Sequence, residues 1–318
     1  MERRDFLKLG IAAGSAAALG FGREVEASRV ALPKRKLGST GEELSILGLG
    51  GIVLCRNDQP AADRIVARAF ARGVNYFDVA PSYGGGEAEE RMGPALKPFR
   101  NRAFLACKTG RRDRAGAAEE LRNSLKRLQT DHFDLYQMHG LTTVDEVRAA
   151  LGPGGAIEAF TEAKQQGLVR FLGFSCHSVE AAFAAMDGFS FDTILFPINW
   201  VCCVNGDFGP QVIEKARGKG MGILALKAMA RTAWAADAER DYPKCWYQPL
   251  SDPKLADLAL RFTLSEPITA ALPPGDERSF ELAMSIAETY KPLTQQERAE
   301  LRAAAEGLKP IFRYPSGK

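Results

Sequence analysis

Eight times along this chain a short apolar run alternates with an amphipathic stretch, and that alternation constrains the fold more than any other feature. The runs are Ser45–Gly50, Asn75–Ala80, Phe104–Thr109, Phe133–His139, Arg170–Ser175, Thr193–Asn199, Gly222–Lys227 and Thr269–Pro273. The stretches are Ala61–Arg72, Glu87–Lys97, Ala117–Gln129, Ala156–Gln166, Val179–Met186, Gly209–Lys219, Pro253–Ser265 and Arg278–Glu288. In Ala117–Gln129, for example, Leu121, Leu125 and Leu128 recur at helical spacing beside Arg122, Lys126 and Arg127. Gly73, Gly167 and Gly220 stop three of the stretches. Eight strand–helix pairs behind one polar hairpin, Lys36–Leu44, predict an α/β fold, a closed (β/α)8 TIM barrel, rather than two domains. A strand covered on both faces reads as a continuous apolar run, as Ile194-Leu195-Phe196-Pro197-Ile198 does. Pro197 lacks a ladder donor, so it marks a bulge or an irregular strand end. The longest non-repeating piece, Ala228 to Ser251, carries Trp234, Trp246 and Tyr247. A loop of that length is usually functional or mobile.

The N-terminus reads as an address. Arg3-Arg4-Asp5-Phe6-Leu7-Lys8 precedes a mild Ala/Gly-rich stretch, Leu9 to Gly22, and Val25-Glu26-Ala27 supplies a small-x-small ending. Paired arginines followed by Phe-Leu-Lys resemble a twin-arginine export signal; the other reading is an amphipathic helix with two chance arginines. The expected division is a signal peptide over 1–27 and one barrel domain over 28–318. The resemblance implies the twin-arginine export machinery as a partner and the periplasm as destination, or the cytoplasm if the signal is not used. It also hints at a cofactor, since that route moves folded proteins, often with one bound.

Several function classes are disfavoured by composition. Lys and Arg number 42 against 39 Asp and Glu, a net +3 without a basic run, so nucleic acid is not an expected partner. No apolar run reaches the ~20 residues of a membrane-spanning helix, so stable membrane insertion of the mature chain is not expected. Three scattered histidines suit a metal-dependent hydrolase poorly, and no metal is expected. The six cysteines contain no Cys-x-x-Cys pair, which argues against an iron–sulfur cluster or a thioredoxin-like pair; most read as small buried hydrophobes.

In a closed barrel the chemistry sits where strands end and βα loops begin. Those ends carry Asp78, Lys108, His139, Ser175 and Lys227, and Tyr83 follows Asp78 in a Gly-rich loop, Tyr83-Gly84-Gly85-Gly86. Asp78 and Lys108 on neighbouring strands offer a pair. A phenol beside the Lys108 cation is expected to have its pKa lowered from ~10, and could then give a proton to a carbonyl oxygen or take one from an alcohol. His139 could donate a hydrogen bond to the same oxygen. Each residue has a plainer reading: a structural ion pair, a packing tyrosine, a core histidine. Four suitable residues on consecutive βα units favour the joint reading.

Phe77-Asp78-Val79-Ala80-Pro81-Ser82-Tyr83-Gly84, then Lys108, then Asp134-Leu135-Tyr136-Gln137-Met138-His139, resemble the aldo-keto reductase superfamily. The likeness runs from about Arg35 to Ala287 and includes Leu49-Gly50-Gly51 and Gly173-Phe174-Ser175. It implies an eightfold barrel that reduces aldehydes and ketones, or oxidises alcohols, with NADP or NAD. Tyr83 is then the proton donor, Lys108 and Asp78 tune it, and His139 orients the carbonyl. Ser175 and Cys176 stand where the family has Ser-Asn on the nicotinamide carboxamide, and Leu195 stands in the place of a Gln. Pro274-Gly275-Asp276-Glu277 replaces the family's Lys-Ser grip on the 2′-phosphate. Glu281 falls about where an Arg would be, and Arg278 can substitute. A carboxylate repels a 2′-phosphate but accepts from a free ribose, so the non-phosphorylated cofactor is expected to be tolerated or preferred, although the N-terminus of the eighth helix could still favour a phosphate. Lys227 faces either the cofactor pyrophosphate or solvent. His177 could approach the cofactor, but beside the helix cap Ser178 it is expected at the surface, as is His132. Trp234, Trp246 and Tyr247 either roof the pocket or pack on the rim. A functional alternative is a barrel that binds cofactor or ligand with little catalysis.

Overall fold

The structure, a computed structural model, describes residues 32–315; the signal read at 1–27 lies outside the described residues. An antiparallel hairpin, β1 (Lys34–Lys36) and β2 (Glu43–Ser45), comes first. Its Leu37 and Leu44 pack into the barrel lumen with Tyr76, Leu135 and Leu224, so the hairpin plugs the end where the barrel strands begin. Gly38 makes that seat possible: it sits at φ 52°, and a Cβ there would lie 2.3 Å from the backbone nitrogen of Gly222.

The barrel strands follow in chain order: β3 (Leu49–Gly50), β4 (Tyr76–Asp78), β5 (Phe104–Thr109), β6 (Phe133–Leu141), β7 (Val169–Cys176), β8 (Thr193–Pro197) and β9 (Gly222–Leu226). A second antiparallel hairpin, β10 (Ala230–Ala233) with β11 (Tyr247–Pro249), intervenes before the last barrel strand, β12 (Ala270–Leu272). All eight barrel strands pair in parallel, and a parallel bridge from Leu47 to Ala271 closes the ring. The expected runs were longer than several strands. Pro197 proves to be the last residue of β8, in register with Leu226, so it is a strand end and not a bulge.

Outside lie α1 (Gln59–Ala71), α2 (Glu87–Leu96), α3 (Arg114–Arg127), α4 (Val144–Leu151), α5 (Ala156–Gln165), α6 (Val179–Gly188), α7 (Trp200–Asn205), α8 (Pro210–Gly218), α9 (Pro253–Ser265), α10 (Glu277–Glu288) and α11 (Gln295–Ala304). Three of these, α4, α7 and α11, were not expected from the alternation. Asp58, Asp113, Ser178 and Asp252 cap α1, α3, α6 and α9 by accepting from backbone N–H groups of the first turn. One apolar layer fills the space between strands and helices, and a smaller one fills the lumen. Strand side chains alternate between the two, so lumen positions follow a period of two. All six cysteines are free thiols, buried except for the half-buried Cys203. No helix of the described residues is long and apolar enough to cross a membrane.

Candidate active site

At the C-terminal ends of the strands a cavity of about 210 Å³ opens, lined by Asp78, Tyr83, Lys108, His139, Ser175 and Lys227 among others. The alternation of strand side chains brings the first of these together. Tyr76 and Asp78 on β4, Phe104, Ala106 and Lys108 on β5, and Leu135, Gln137 and His139 on β6 share the lumen side. Tyr83 comes from the turn after β4, where Gly84, Gly85 and Gly86 hold φ values of 63°, 66° and 104° that side chains resist.

Lys108 is wholly buried, and its Nζ donates to Asp78 Oδ1, to the carbonyl of Val79 at 3.2 Å and to the Tyr83 hydroxyl at 3.5 Å. Burial pulls against the ammonium, but the Asp78 carboxylate and the neighbouring phenol outweigh it and hold Lys108 above its ordinary pKa. Asp78 also accepts from Tyr76 and Gln137, each at 3.1 Å on Oδ2. These two residues hold the carboxylate in place and were not singled out from the sequence.

The expectation for Tyr83 is overturned. Its phenol is raised above the ordinary value, because burial in the cavity wall outweighs the lowering by Lys108, and Asp78 adds to the rise. Tyr83 therefore keeps its proton at neutral pH. His139 stands edge-on to the Tyr83 ring, with ring centroids 5.7 Å apart and planes at 85°. Burial, then the charges of Lys108, Arg112 and Lys227 and the nearby His177, bring His139 down to about 3, so the ring is neutral across the physiological range. Its Nδ1 lies 3.3 Å from the Ser82 hydroxyl. When Ser82 donates to Nδ1, the ring proton sits on Nε2 and remains available to an acceptor.

The remaining expected residues divide. Ser175 lines the cavity, its hydroxyl accepting from the Gly140 N–H at 2.7 Å. Cys176 does not line it: being next along β7 it faces the outer layer, where its thiol meets the Ser178 carbonyl and burial pushes its pKa up to about 12. Leu195 takes a lumen position on the lining. Gly275 lines the cavity and packs so closely on the turn after β3 that a Cβ would meet Ile52 Cγ2 at 2.2 Å. Arg278 is off the lining and engaged elsewhere: Nε is 3.0 Å from Asp276, Nη2 donates to the Asp241 carbonyl at 2.6 Å, and the guanidinium covers Tyr242. Glu281 turns to α1 instead of toward a ligand, pairing with Arg68 and Arg72 at 2.7 and 2.8 Å.

His177 corrects a second expectation. It lines the cavity, lies flat on Phe312 at 5.2 Å, and burial with the Lys227 charge brings it down to about 3. His132 pairs with exposed Asp131 away from the cavity lining. The 228–251 segment is ordered by the β10–β11 pairing and crosses the mouth, with Lys244 Nζ on the Val53 carbonyl at 2.9 Å. Trp246 and Tyr247 line the cavity, while Trp234 ties the segment together by donating to the Cys245 carbonyl. Among the described residues, no set of three His, Cys, Asp or Glu side chains is placed to hold a metal ion.

A barrel whose mouth places a phenol, a clamped ammonium and a neutral imidazole on consecutive βα units has the arrangement that the sequence likeness implies. Comparison with known families decides the matter: the Aldo/keto reductase family matches residues 46–306. The chain belongs to this family. Among its relatives in Bacillus subtilis, an uncharacterized oxidoreductase, YqkF, is 27% identical over 302 residues, 85% of this chain and 95% of the relative. The aldo-keto reductase YhdN of the same organism is 34% identical over 164 residues, 45% of this chain and 47% of its own length. The L-galactose dehydrogenase of Arabidopsis thaliana is 28% identical over 214 residues, 62% of this chain and 65% of its own. In fold, the chain superimposes on the holo form of aldo-keto reductase AKR11C1 from Bacillus halodurans with a TM-score of 0.68 at 24% identity, covering 90% of this chain and 99% of that one. This chain is accordingly an oxidoreductase of the aldo-keto reductase type.

Proposed function

We propose that this aldo-keto reductase interconverts an aldehyde or ketone and its alcohol with a nicotinamide cofactor, Tyr83 serving as proton donor and acceptor. The observation that carries the reading is the Tyr83 hydroxyl 3.5 Å from a buried Lys108 that Asp78 clamps. The cofactor, when bound, supplies or takes up the hydride. The residues present fit such a group. A Cβ on Gly50, which lines the cavity, would meet nothing within 4 Å, so the backbone there leaves open space. The Ser175 hydroxyl already accepts from Gly140 and keeps its own proton to offer a carboxamide oxygen. Gly275 lines the same cavity. Cys176 and Arg278 are not placed to help.

In the reducing direction, Tyr83 delivers its proton to the oxygen on which negative charge develops. The raised pKa keeps that proton loaded. In the oxidising direction the phenol must first lose it, and the Lys108 ammonium lowers the cost of the phenolate. His139, neutral, can donate to the same oxygen and hold it in place.

Three features support tolerance of the non-phosphorylated cofactor. Asp276 already occupies the N-terminus of α10 by accepting from the Arg278 N–H, Arg278 is held on Asp276, and no Lys-Ser pair is present. Purified protein titrated with each reduced cofactor, followed by nicotinamide fluorescence and then a carbonyl panel, should show binding of the non-phosphorylated form at least as tight and turnover of some carbonyl. A strong preference for the phosphorylated form, abolished by Arg278→Ala, would reverse the cofactor assignment. Binding with no turnover across the panel would favour a ligand-binding barrel.

We infer further that the chain is exported. Arg3-Arg4 and the weak apolar stretch behind them support this. Replacing both arginines with lysine should trap full-length protein in the cytoplasm; unchanged export would defeat the twin-arginine assignment.

A further inference from the structure

The charges on the cavity wall do not balance. Its lining carries one carboxylate, Asp78, against three ammonium groups, Lys108, Lys227 and Lys244. Asp78 is committed to Lys108. Lys244 rests on the Val53 carbonyl. Lys227 forms no ion pair among the described residues; its Nζ lies 5.4 Å from the ring centroids of Trp246 and Tyr247, with the uncharged thiols of Cys245 and Cys202 near it. Cation–π contact of that kind returns only part of what a desolvated charge loses.

The backbone goes out of its way to put Lys227 there. Leu226 ends β9 facing the lumen, so the next residue along an extended strand would face outward. Instead Lys227 adopts φ 67°, a left-handed conformation that a lysine rarely takes, and its side chain joins the lining. Buried Asn199, the N-cap of α7, locks the turn by donating to the Lys227 and Ala230 carbonyls at 2.9 and 2.8 Å. Such strain is retained where the surroundings over-determine it, and it concentrates at ligand sites. Beside it, His177 Nε2 is buried with no partner. A neutral imidazole can carry its proton on that nitrogen and donate it.

We propose that Lys227 and His177 form a subsite for a carboxylate, and that the carbonyl substrate carries this carboxylate. One unneutralised ammonium and one unpartnered N–H match the charge and the acceptor atoms of a single carboxylate. Lys227 and His177 line the same cavity as Tyr83, Lys108 and His139, and the Lys227 charge reaches both imidazoles. That is where substrate meets Tyr83, whereas a dinucleotide holds its phosphates a ribose away from its nicotinamide ring. The inference rests on the reading of this cavity as a carbonyl-reducing site. Burial and Lys108 bring the Lys227 ammonium down to about 8, a cost that a bound carboxylate would relieve.

The test compares the three positional carboxybenzaldehydes with benzaldehyde in the parent, Lys227→Asn, Lys227→Met and Lys227→Arg proteins. Asparagine suits the left-handed backbone, methionine keeps the stem, and arginine keeps the charge. For the best isomer, the ratio of its kcat/KM to that of benzaldehyde should fall about 10- to 100-fold in the Asn and Met variants, chiefly through KM. Arginine should retain most of it. Calorimetric titration of the same proteins with benzoate should show the same loss of affinity, and it needs no turnover. An unchanged ratio and unchanged benzoate binding in folded variants overturn the proposal. So does an equal loss with every aldehyde accompanied by weaker cofactor binding, which would give Lys227 to the dinucleotide. A parent protein that reduces no carbonyl would strike the proposed function instead, and the benzoate titration would still decide the subsite.

Discussion

Tyr83→Phe should lower turnover of a good carbonyl substrate by about 10²–10⁴-fold, the usual worth of general acid–base catalysis. The argument is one of charge. Hydride arriving at a carbonyl carbon leaves an alkoxide, and the protonated group set to neutralise it is the phenol beside Lys108. The neutral His139 can only share a hydrogen bond, and Lys108 is held above its ordinary pKa by Asp78, so neither replaces the missing proton donor. Cofactor affinity, measured by nicotinamide fluorescence, should stay close to that of the parent, so the loss appears in kcat. A variant that works at nearly the parent rate would remove Tyr83 from the mechanism.

Lys108→Met should damage both the chemistry and the fold. Turnover should fall on the same scale, because the phenolate loses its neighbouring cation. Any residual alcohol oxidation should move to higher pH: Lys108 lowers the Tyr83 pKa, so its removal lets burial and Asp78 raise that value further. The stability loss follows from Asp78, which is 1% exposed and would keep only the Tyr76 and Gln137 donors. Removing one partner of a buried ion pair typically costs about 3–5 kcal/mol. Those two donors place the expected loss near ~3 kcal/mol, or a Tm lowered by roughly 5–10 °C. Thermal unfolding of Lys108→Met and of the double variant Lys108→Met with Asp78→Asn checks it. The neutral amide should recover part of the loss. A single variant as stable as the parent would show that the pair contributes nothing to the fold.

The barrel was readable because its signals are local and repeated. The segment 253–265 was placed correctly at both ends, since Asp252 and Pro253 open it and its apolar residues recur at helical spacing. That Asp78, Tyr83, Lys108 and His139 share one cavity was readable, because each sits at a strand end or in the loop just beyond. What was missed has physical reasons. Trp200–Asn205 is short and largely apolar, so no periodicity separates it from a strand. Val144–Leu151 and Gln295–Ala304 lie outside the eightfold repeat, although their capping boxes, Thr143 with Glu146 and Thr294 with Glu297, were signals to be had. Cys176 was assigned to the site together with Ser175, yet adjacent strand residues face opposite ways, and the alternation alone separates them. The Tyr83 shift could not be read, because it depends on how much burial offsets the Lys108 charge. Glu281 depends on Arg68 and Arg72, far away in the chain, and Arg278 is shared between its near neighbour Asp276 and the distant Asp241 carbonyl, which no local pattern reveals.

Phe312, itself off the cavity lining, backs two residues that do line it. Phe312 lies on His177 and meets Trp246 at 5.9 Å, and the segment is fastened by Asn205 to the carbonyls of Ala305 and Leu308 and by Thr232 to that of Lys309. The ring closes through the bridge of Ala271 to Leu47, which does not involve this segment. His177 and Trp246, which line the cavity, are therefore backed only when Phe312 is seated against them. A barrel whose ring is closed can thus still have two loosely held residues on its cavity, because their support comes from a segment that takes no part in the ring.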